Sequence, residues 1–276
     1  MTTIDLLPSR SLDEPTRSGV AHVFASSFQA AEPGRVIDRY TRAVDEIFVA
    51  REGDDVVGFQ FFQRRRVAGR TVLHFSLAGR LADPRFRGLQ ARFGHLLIRR
   101  AVLRIPPWRP VFLAGVTNSP RSYRNMRAVG GRCFPDVLAP QRANPFGSWY
   151  ADTAAHLGVT TVSDRGLVPD RMRDLGYALR SEPAPAHPTG RAYDDYVAGN
   201  RDDGLFVVVE LLPVRDLPPY LLGRRPRIPR QPTRDGTGTP PGNPAAAERP
   251  AAAEKPAADE EPAAAEKPAV GGEKAG

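Results

Sequence analysis

The residues best suited to chemistry lie in one short stretch, Gly79-Arg80-Leu81-Ala82-Asp83-Pro84-Arg85-Phe86-Arg87-Gly88-Leu89-Gln90-Ala91. A strand ends there, a proline-bearing turn follows, and arginines with a glycine open an amphipathic helix. Backbone N–H groups at a helix N-terminus lack intrahelical partners and form a ready anion site, which a glycine lets a phosphate approach closely. Arg85 and Arg87 would add charge-assisted bonds. A plain helix start would carry the same residues. Other chemistries lack their constellations. The single cysteine, Cys133, permits no intrachain disulfide, excludes a cysteine-rich zinc site, and pairs with no histidine in a nucleophile motif. The five histidines (His22, His74, His95, His156, His187) are dispersed, so no metal site is expected. Walker-type, HExxH, GxSxG and EF-hand patterns do not occur.

The elements that must position this stretch follow from periodicity. Ile4–Leu7 is a short apolar start. Asp13 can cap a helix running to Phe28, with Val20, Val23, Phe24 and Phe28 at spacings of three and four. Val36–Val44 reads as a second short helix. Glu46–Glu52 and Val56–Gln63 form a hairpin, and Thr71–Leu77 a third strand, antiparallel because the loops are short. Leu89–Leu103 is helical and Val111–Val116 a strand buried on both faces. Ser119–Val129 is a helix closed by Gly130-Gly131, and Arg132–Val137 resumes as a strand. Helical crossovers require part of the sheet to be parallel. Short helices are expected at Ser148–His156, Asp170–Leu179 and Arg191–Ala198, within an insertion over 139–200. The valine-rich Gly204–Leu212 then reads as a late, buried strand of the same sheet.

Strand, Pro-x-x-Arg-Gly-x-x, helix, strand, and then Asn118-Ser-Pro-Arg-Ser-Tyr-Arg-Asn-Met-Arg-Ala-Val-Gly-Gly131 resemble the GNAT superfamily of acyl-CoA-dependent N-acyltransferases. The resemblance covers roughly 1–137 and resumes at the late strand. It implies an α/β fold with a mixed, partly splayed β-sheet flanked by helices, residues 1–212 being the acyltransferase domain. The family's turn is Arg/Gln-x-x-Gly-x-Gly/Ala, whose amides hold the pyrophosphate of coenzyme A. Arg85, Phe86, Arg87, Gly88, Leu89 and Gln90 match its first arginine and first glycine, with Gln90 in place of a small residue. Leu77 to Leu81 would face the pantetheine arm through backbone groups, and Asn118 would contact it. A helix tyrosine often protonates the departing thiolate in this family. Met126 occupies its usual place, and Tyr123 lies one turn back. A general base is sought near the third or fourth strand, where His74 is the candidate, with Glu46 and Glu210 at strand ends. The implied cosubstrate is acetyl-CoA or another acyl-CoA, with no metal, and the implied partner is a small-molecule or peptide amine.

Composition bounds the alternatives. The chain has 276 residues, 41% hydrophobic and 25% charged, which excludes a wholly disordered protein. No window reaches the ~20 apolar residues of a membrane span. The start, MTTIDLLPSRSLDEP, lacks the apolar core of a secretory signal, and the lone cysteine suits a reducing cytoplasm. The formal net charge is +8. The stretch Gly236–Gly276 holds seven acids and four bases, so residues 1–235 carry +11, entirely through arginine. A base-composition bias gives this pattern, and so does an anionic-partner surface. Residues 213–235 read as a Pro/Arg-rich linker that could also dock weakly on an anionic partner through Arg215–Arg234. Residues 236–276 repeat proline every six positions (244, 250, 256, 262, 268) and are expected to be disordered. Trp108 and Trp149 are expected to cover the core. Two rival functions follow. One is a non-catalytic GNAT-like module binding an acyl-CoA or a protein, favoured by Gln90 and Met126. The other is an arginine-rich nucleic-acid or anionic-membrane binder.

Overall fold

A computed structural model describes residues 2–129, 131–179, 187–200, 202–213 and 215–216. All fall in one compact unit, Met1–Pro229. The expected linker beyond residue 216 and the expected tail over 236–276 lie outside the described residues.

The strands among the described residues are β1 (Thr2–Pro8), β2 (Phe28–Gln29), β3 (Glu46–Glu52), β4 (Asp55–Val67), β5 (Arg70–Arg80), β6 (Val111–Thr117), β7 (Cys133–Phe134), β8 (Leu167–Val168), β9 (Ala178–Leu179) and β10 (Gly204–Leu211). The α-helices among the described residues are α1 (Glu14–Ser27), α2 (Pro33–Ala43), α3 (Leu89–Val102), α4 (Pro120–Arg127), α5 (Ser148–His156), α6 (Arg171–Leu175) and α7 (Pro188–Tyr196). The main sheet runs β1-β3-β4-β5-β6-β10-β7, with β8 also on β10, while β2 and β9 pair separately. Every neighbouring pair is antiparallel except β5–β6. That parallel pair is bridged by α3, the crossover its direction demands. This is the mixed sheet flanked by helices that the sequence led us to expect.

Local chemistry places the helices. Asp13 Oδ1 accepts from the Thr16 amide at 2.9 Å and Pro15 follows at the first turn, fixing the start of α1. Ser119 Oγ accepts from the Ser122 amide at the start of α4. One face of the sheet is covered by α3, α4 and α7, where Leu89, Phe93, Leu97, Ile98 and Tyr123 pack against Phe48, Phe62, Leu73, Leu113 and Val207. The opposite face carries two separate cores. One packs Val20, Val23, Phe24 and Ile37 of α1 and α2 against Ile47, Phe59 and Phe61. The other packs Trp149, Tyr150 and Ala154 of α5 against Val72, Phe112, Phe206 and Val208.

The sheet forks between β5 and β6. Their pairing covers only Thr71–His74 against Val111–Ala114, although β5 continues to Arg80 and β6 to Thr117. The register between β4 and β5 shifts where the strands part: Gln60 faces Ala78 and Phe62 faces Phe75, so Phe61 spans both Ser76 and Leu77. Such a bulge bends its strand and reverses which face later side chains occupy. Accordingly Leu73 joins the α3 face and Leu77 joins the α1–α2 face.

Four expectations need correction. The strand expected over Arg132–Val137 shrinks to Cys133–Phe134, and it pairs with β10, which enters between β6 and β7. The helix expected over Asp170–Leu179 stops at Leu175, where Gly176 takes a left-handed conformation (φ +72°) and returns the chain as β9. The third short helix begins at Pro188 rather than Arg191. Trp108 is 70% exposed on its proline-rich turn, whereas Trp149 is buried and donates to Val67 O at 3.2 Å. Among the described residues no helix is long and apolar enough to cross a membrane.

Candidate active-site cleft at the sheet fork

The fork opens a cleft of about 820 Å³. Its walls are the diverging strand ends (Phe75 to Ala78 and Arg80; Gly115 to Thr117), the first turns of α3, the cleft-facing side of α4, and Ser26 to Phe28 with Met172 and Tyr177. It therefore passes through the sheet and reaches both faces.

The expected anion site divides in two. Pro84–Phe86 form a turn of 3-10 helix that uses its own amides: Arg85 N donates to Asp83 Oδ1 (2.8 Å), Phe86 N to Asp83 O (3.1 Å) and Arg87 N to Pro84 O (3.1 Å). The Arg85 side chain turns back to Asp83 (2.9 Å) and Glu52 (3.0 Å), away from the cleft lining. Hydrogen bonding to Arg85 holds the Asp83 carboxyl below its usual range. Phe86 is buried in the core with Leu89. Of the groups that Arg85 and Phe86 were expected to offer to a pyrophosphate, both amides and the Arg85 guanidinium are engaged by the protein in this structure.

From Gly88 onward the picture reverses. Gly88 caps α3 with φ +87°, a conformation open to glycine and costly for other residues. Its carbonyl accepts from Arg92 N. The amides of Gly88, Leu89, Gln90 and Ala91 have no acceptor among the described residues, as the first turn of a helix dictates. Arg87, Gly88, Gln90 and Ala91 line the cleft, while the buried Leu89 side chain anchors the helix end against the sheet. A Cβ added at Gly58 would sit 2.4 Å from Leu89 Cδ2, so the bare backbone of β4 is what lets α3 start this close. Gln90 sits on the wall and does not close the cleft.

Across the fork, Asn118 lies at the end of β6 and lines the cleft. Arg121 and Arg124 project from α4 into the same space, spaced to share a helix face. Arg87, Arg121 and Arg124 form no ion pair with the described residues, and among the described residues no carboxylate lines the cleft. Spacing within the expected α4 could have flagged Arg121 and Arg124. Nothing local in sequence marks Ser26 to Phe28, Gln60, Met172 or Tyr177, which tertiary structure brings in. Leu77 lines the cleft, and Leu81 lies behind it, with its amide on Val57 O at 3.0 Å.

The expected acid and base do not reach the cleft. Tyr123 is fully buried, and its hydroxyl donates to Pro135 O (3.1 Å) and accepts from Val137 N (3.1 Å). Burial pushes its pKa well up. These bonds clamp the chain after β7, and the hydroxyl expected to donate a proton is engaged there. His74 faces away on the last parallel pair, with Nδ1 2.8 Å from Gln63 Nε2. Burial lowers its pKa to about 4, with Arg171 and Arg65 adding to the effect. Glu46 lies beside Arg100 (4.0 Å) and Glu210 is held by Arg132 (2.6 Å), both off the lining. Burial pushes the Cys133 thiol up to about 12. Among the described residues no group of three or more His, Cys, Asp or Glu could hold a metal ion.

No protein-family model matches the sequence, and no curated protein matches it. Solved structures do. An acetyltransferase of Bacillus subtilis in complex with CoA is 10% identical, with 77% of this chain and all of that one covered and a TM-score of 0.38. A GNAT family acetyltransferase of Elizabethkingia anophelis with acetyl-CoA bound is 11% identical over 76% of this chain and 98% of that one, TM-score 0.38. A ribosomal-protein-alanine N-acetyltransferase of Brucella melitensis is 22% identical over 38% of this chain and 74% of that one, TM-score 0.30. The chain is thus similar to acetyltransferases that include GNAT family members, at low identity throughout.

Proposed function

We propose that the chain is an acyl-CoA-dependent N-acyltransferase, with acetyl as the acyl group that the sequence resemblance implies and a small-molecule or peptide amine as acceptor. The supporting observation is the fork itself. Two strands part beside a helix whose first amides have no acceptor among the described residues, in a cleft whose charged side chains, among the described residues, are all cationic. A diphosphate fits that chemistry: amides at Gly88 to Ala91 donate to its oxygens, the helix dipole favours its charge, and Arg87, Arg121 and Arg124 supply charge-assisted bonds. The strand edge of β5 beyond His74, released from β6, offers unladdered backbone groups over Phe75 to Arg80 for the amide-bearing pantetheine arm, with Asn118 opposite.

In direct transfer the amine nitrogen forms a bond to the thioester carbonyl carbon, the C–S bond breaks, and the proton released by nitrogen ends on the thiolate. With Tyr123 and His74 engaged elsewhere, the chain's contribution is positioning and electrostatics. Calorimetric titration with acetyl-CoA tests the reading, paired with free-thiol release over an amine panel. Binding with turnover is expected. Absence of acetyl-CoA binding overturns it. The engaged hydroxyl of Tyr123 specifically favours a second reading, a non-catalytic acyl-CoA-binding module. Binding without thiol release across the panel would select it.

A further inference from the structure

The outer side of α3 differs from the rest of the surface. The large hydrophobic residues exposed among the described residues are Leu96 (39%), Leu103 (73%) and Trp108 (70%), and all fall within 96–108. They sit in a long run without acids: residues 84–135 hold eleven arginines and no aspartate or glutamate.

Helix geometry gathers these groups. At about 100° per residue, Arg92, Leu96, Arg99 and Leu103 share one stripe, while Gln90, Gly94 and Ile98, which line the cleft, lie on the opposite side of the helix. Leu103 caps α3 in a right-handed conformation, so the stripe continues to the helix end. The chain then turns, and the Arg109 amide donates to Pro106 O at 2.9 Å. Pro106, Pro107 and Pro110 fix the backbone on both sides of Trp108, so little backbone entropy remains to be lost there on binding. Arg92, Arg99, Arg104 and Arg109 are exposed and form no ion pair with the described residues. Arg64 and Arg66 bring two more exposed cations to this end of the sheet, since Arg66 faces Thr71 and Thr71 faces Val111, just after the turn. Two acids there, Asp45 and Glu46, lie against Arg65 (2.7 Å) and Arg100 (4.0 Å).

We infer that this face docks peripherally on an anionic membrane, with Leu96, Leu103 and Trp108 entering the headgroup layer and the surrounding arginines meeting lipid phosphates. Interfacial segments place leucine and tryptophan at that depth and keep basic heads at the phosphates. A nucleic acid would answer the arginines but not the leucines, which have no ring to stack on a base and no hydrogen-bonding side chain. A single tryptophan also falls short of the repeated aromatic platform such binders use. The inference is independent of the acyl-CoA reading, because the cleft opens on the other side of the helix.

Flotation of the full chain with vesicles is the test. Vesicles of phosphatidylcholine with about 30% phosphatidylserine should carry the protein, pure phosphatidylcholine should not, and binding should fall at least about tenfold between about 0.05 M and about 0.5 M salt. Leu103→Ser and Trp108→Ala alter exposed side chains, so Tm should hold while affinity drops about tenfold in each. Arg99→Gln and Arg104→Gln should each cost about fivefold, the worth of one basic residue near an anionic leaflet. Trp149 is buried, so a blue shift of tryptophan emission on binding reports Trp108 and should vanish in Trp108→Ala. Absence of flotation, or equal flotation with both vesicle types, overturns the inference. So does flotation undiminished by Leu103→Ser and Trp108→Ala, which would move the contact to another part of the chain. Tighter binding to a single-stranded oligonucleotide, weakened by the same arginine changes, would assign the face to nucleic acid instead, and a dimer in solution dissolved by Leu103→Ser would assign it to a second copy of this chain.

Discussion

The turn Pro84–Phe86 and the start of α3 adjoin in sequence yet treat their polar groups in opposite ways. The turn closes on itself: Asp83 and Pro84 accept the amides of Arg85, Phe86 and Arg87, and Asp83 with Glu52 holds the Arg85 guanidinium. Three residues on, the amides of Gly88 to Ala91 have no acceptor among the described residues, and Arg87 forms no ion pair there. The same division recurs across the cleft, where Tyr123 and His74 are engaged inside the protein while Arg121 and Arg124 face the open space. A residue type that could do chemistry is available only where backbone geometry has left it without an internal partner.

The largest test of this division falls on its closed side. Tyr123→Phe removes the acceptor of a buried Val137 amide and the donor to Pro135, which should destabilise the fold by about 1–3 kcal/mol. Thermal unfolding would show a lowered Tm. Thiol release measured well below that temperature should stay near wild type, and a collapse in kcat there would return Tyr123 to the chemistry. His74 gives a pH test. Its folded pKa of about 4 lies below the ordinary 6.5, so the unfolded chain binds the extra proton between those values. Stability is then full above about pH 6.5 and falls as pH drops toward about 4, by roughly 1–3 kcal/mol. His74→Gln should flatten that part of the Tm-versus-pH curve.

On the open side, Gly88→Ala forces a Cβ into φ +87° and should cost about 1–2 kcal/mol, read by denaturant midpoint and accompanied by weaker acetyl-CoA binding. The sharpest contrast is the arginine pair. Arg87→Gln should weaken acetyl-CoA binding about tenfold. Arg85→Gln should change it less than about twofold, because its side chain is an exposed partner of Asp83 and Glu52. Equal losses from both would dissolve the distinction.

Much of this was legible in the sequence. The two apolar runs Glu46–Glu52 and Val56–Gln63 on either side of a short turn, the Asp13 cap and the spacing of four between Leu89, Phe93 and Leu97 are local signals, and the structure follows them. The helix start at Leu89 was legible as well, but not which of the nearby amides remain open, since that depends on Asp83 capping the preceding turn. Tyr123 shows the limit more plainly. Its position one turn from Met126 is visible in sequence, but the partners of its hydroxyl, Pro135 O and Val137 N, are set by how the chain returns after β7. The aromatic end of the cleft joins Phe28 to Tyr177 across about 150 residues, a contact no window of sequence reports.

The position of β10 bears on how the molecule comes into being. Among the described residues it is the last strand of the sheet in chain order, yet it lies between β6 and β7 and supplies Leu205 to Val209 to the interior. A nascent chain that has reached residue 200 therefore has β6 with one naked edge and β7 with no neighbour at all. Non-local pairing of this kind slows folding and leaves hydrophobic surface waiting. The second half of the sheet closes only when its final strand emerges from the ribosome and slides into the gap kept for it.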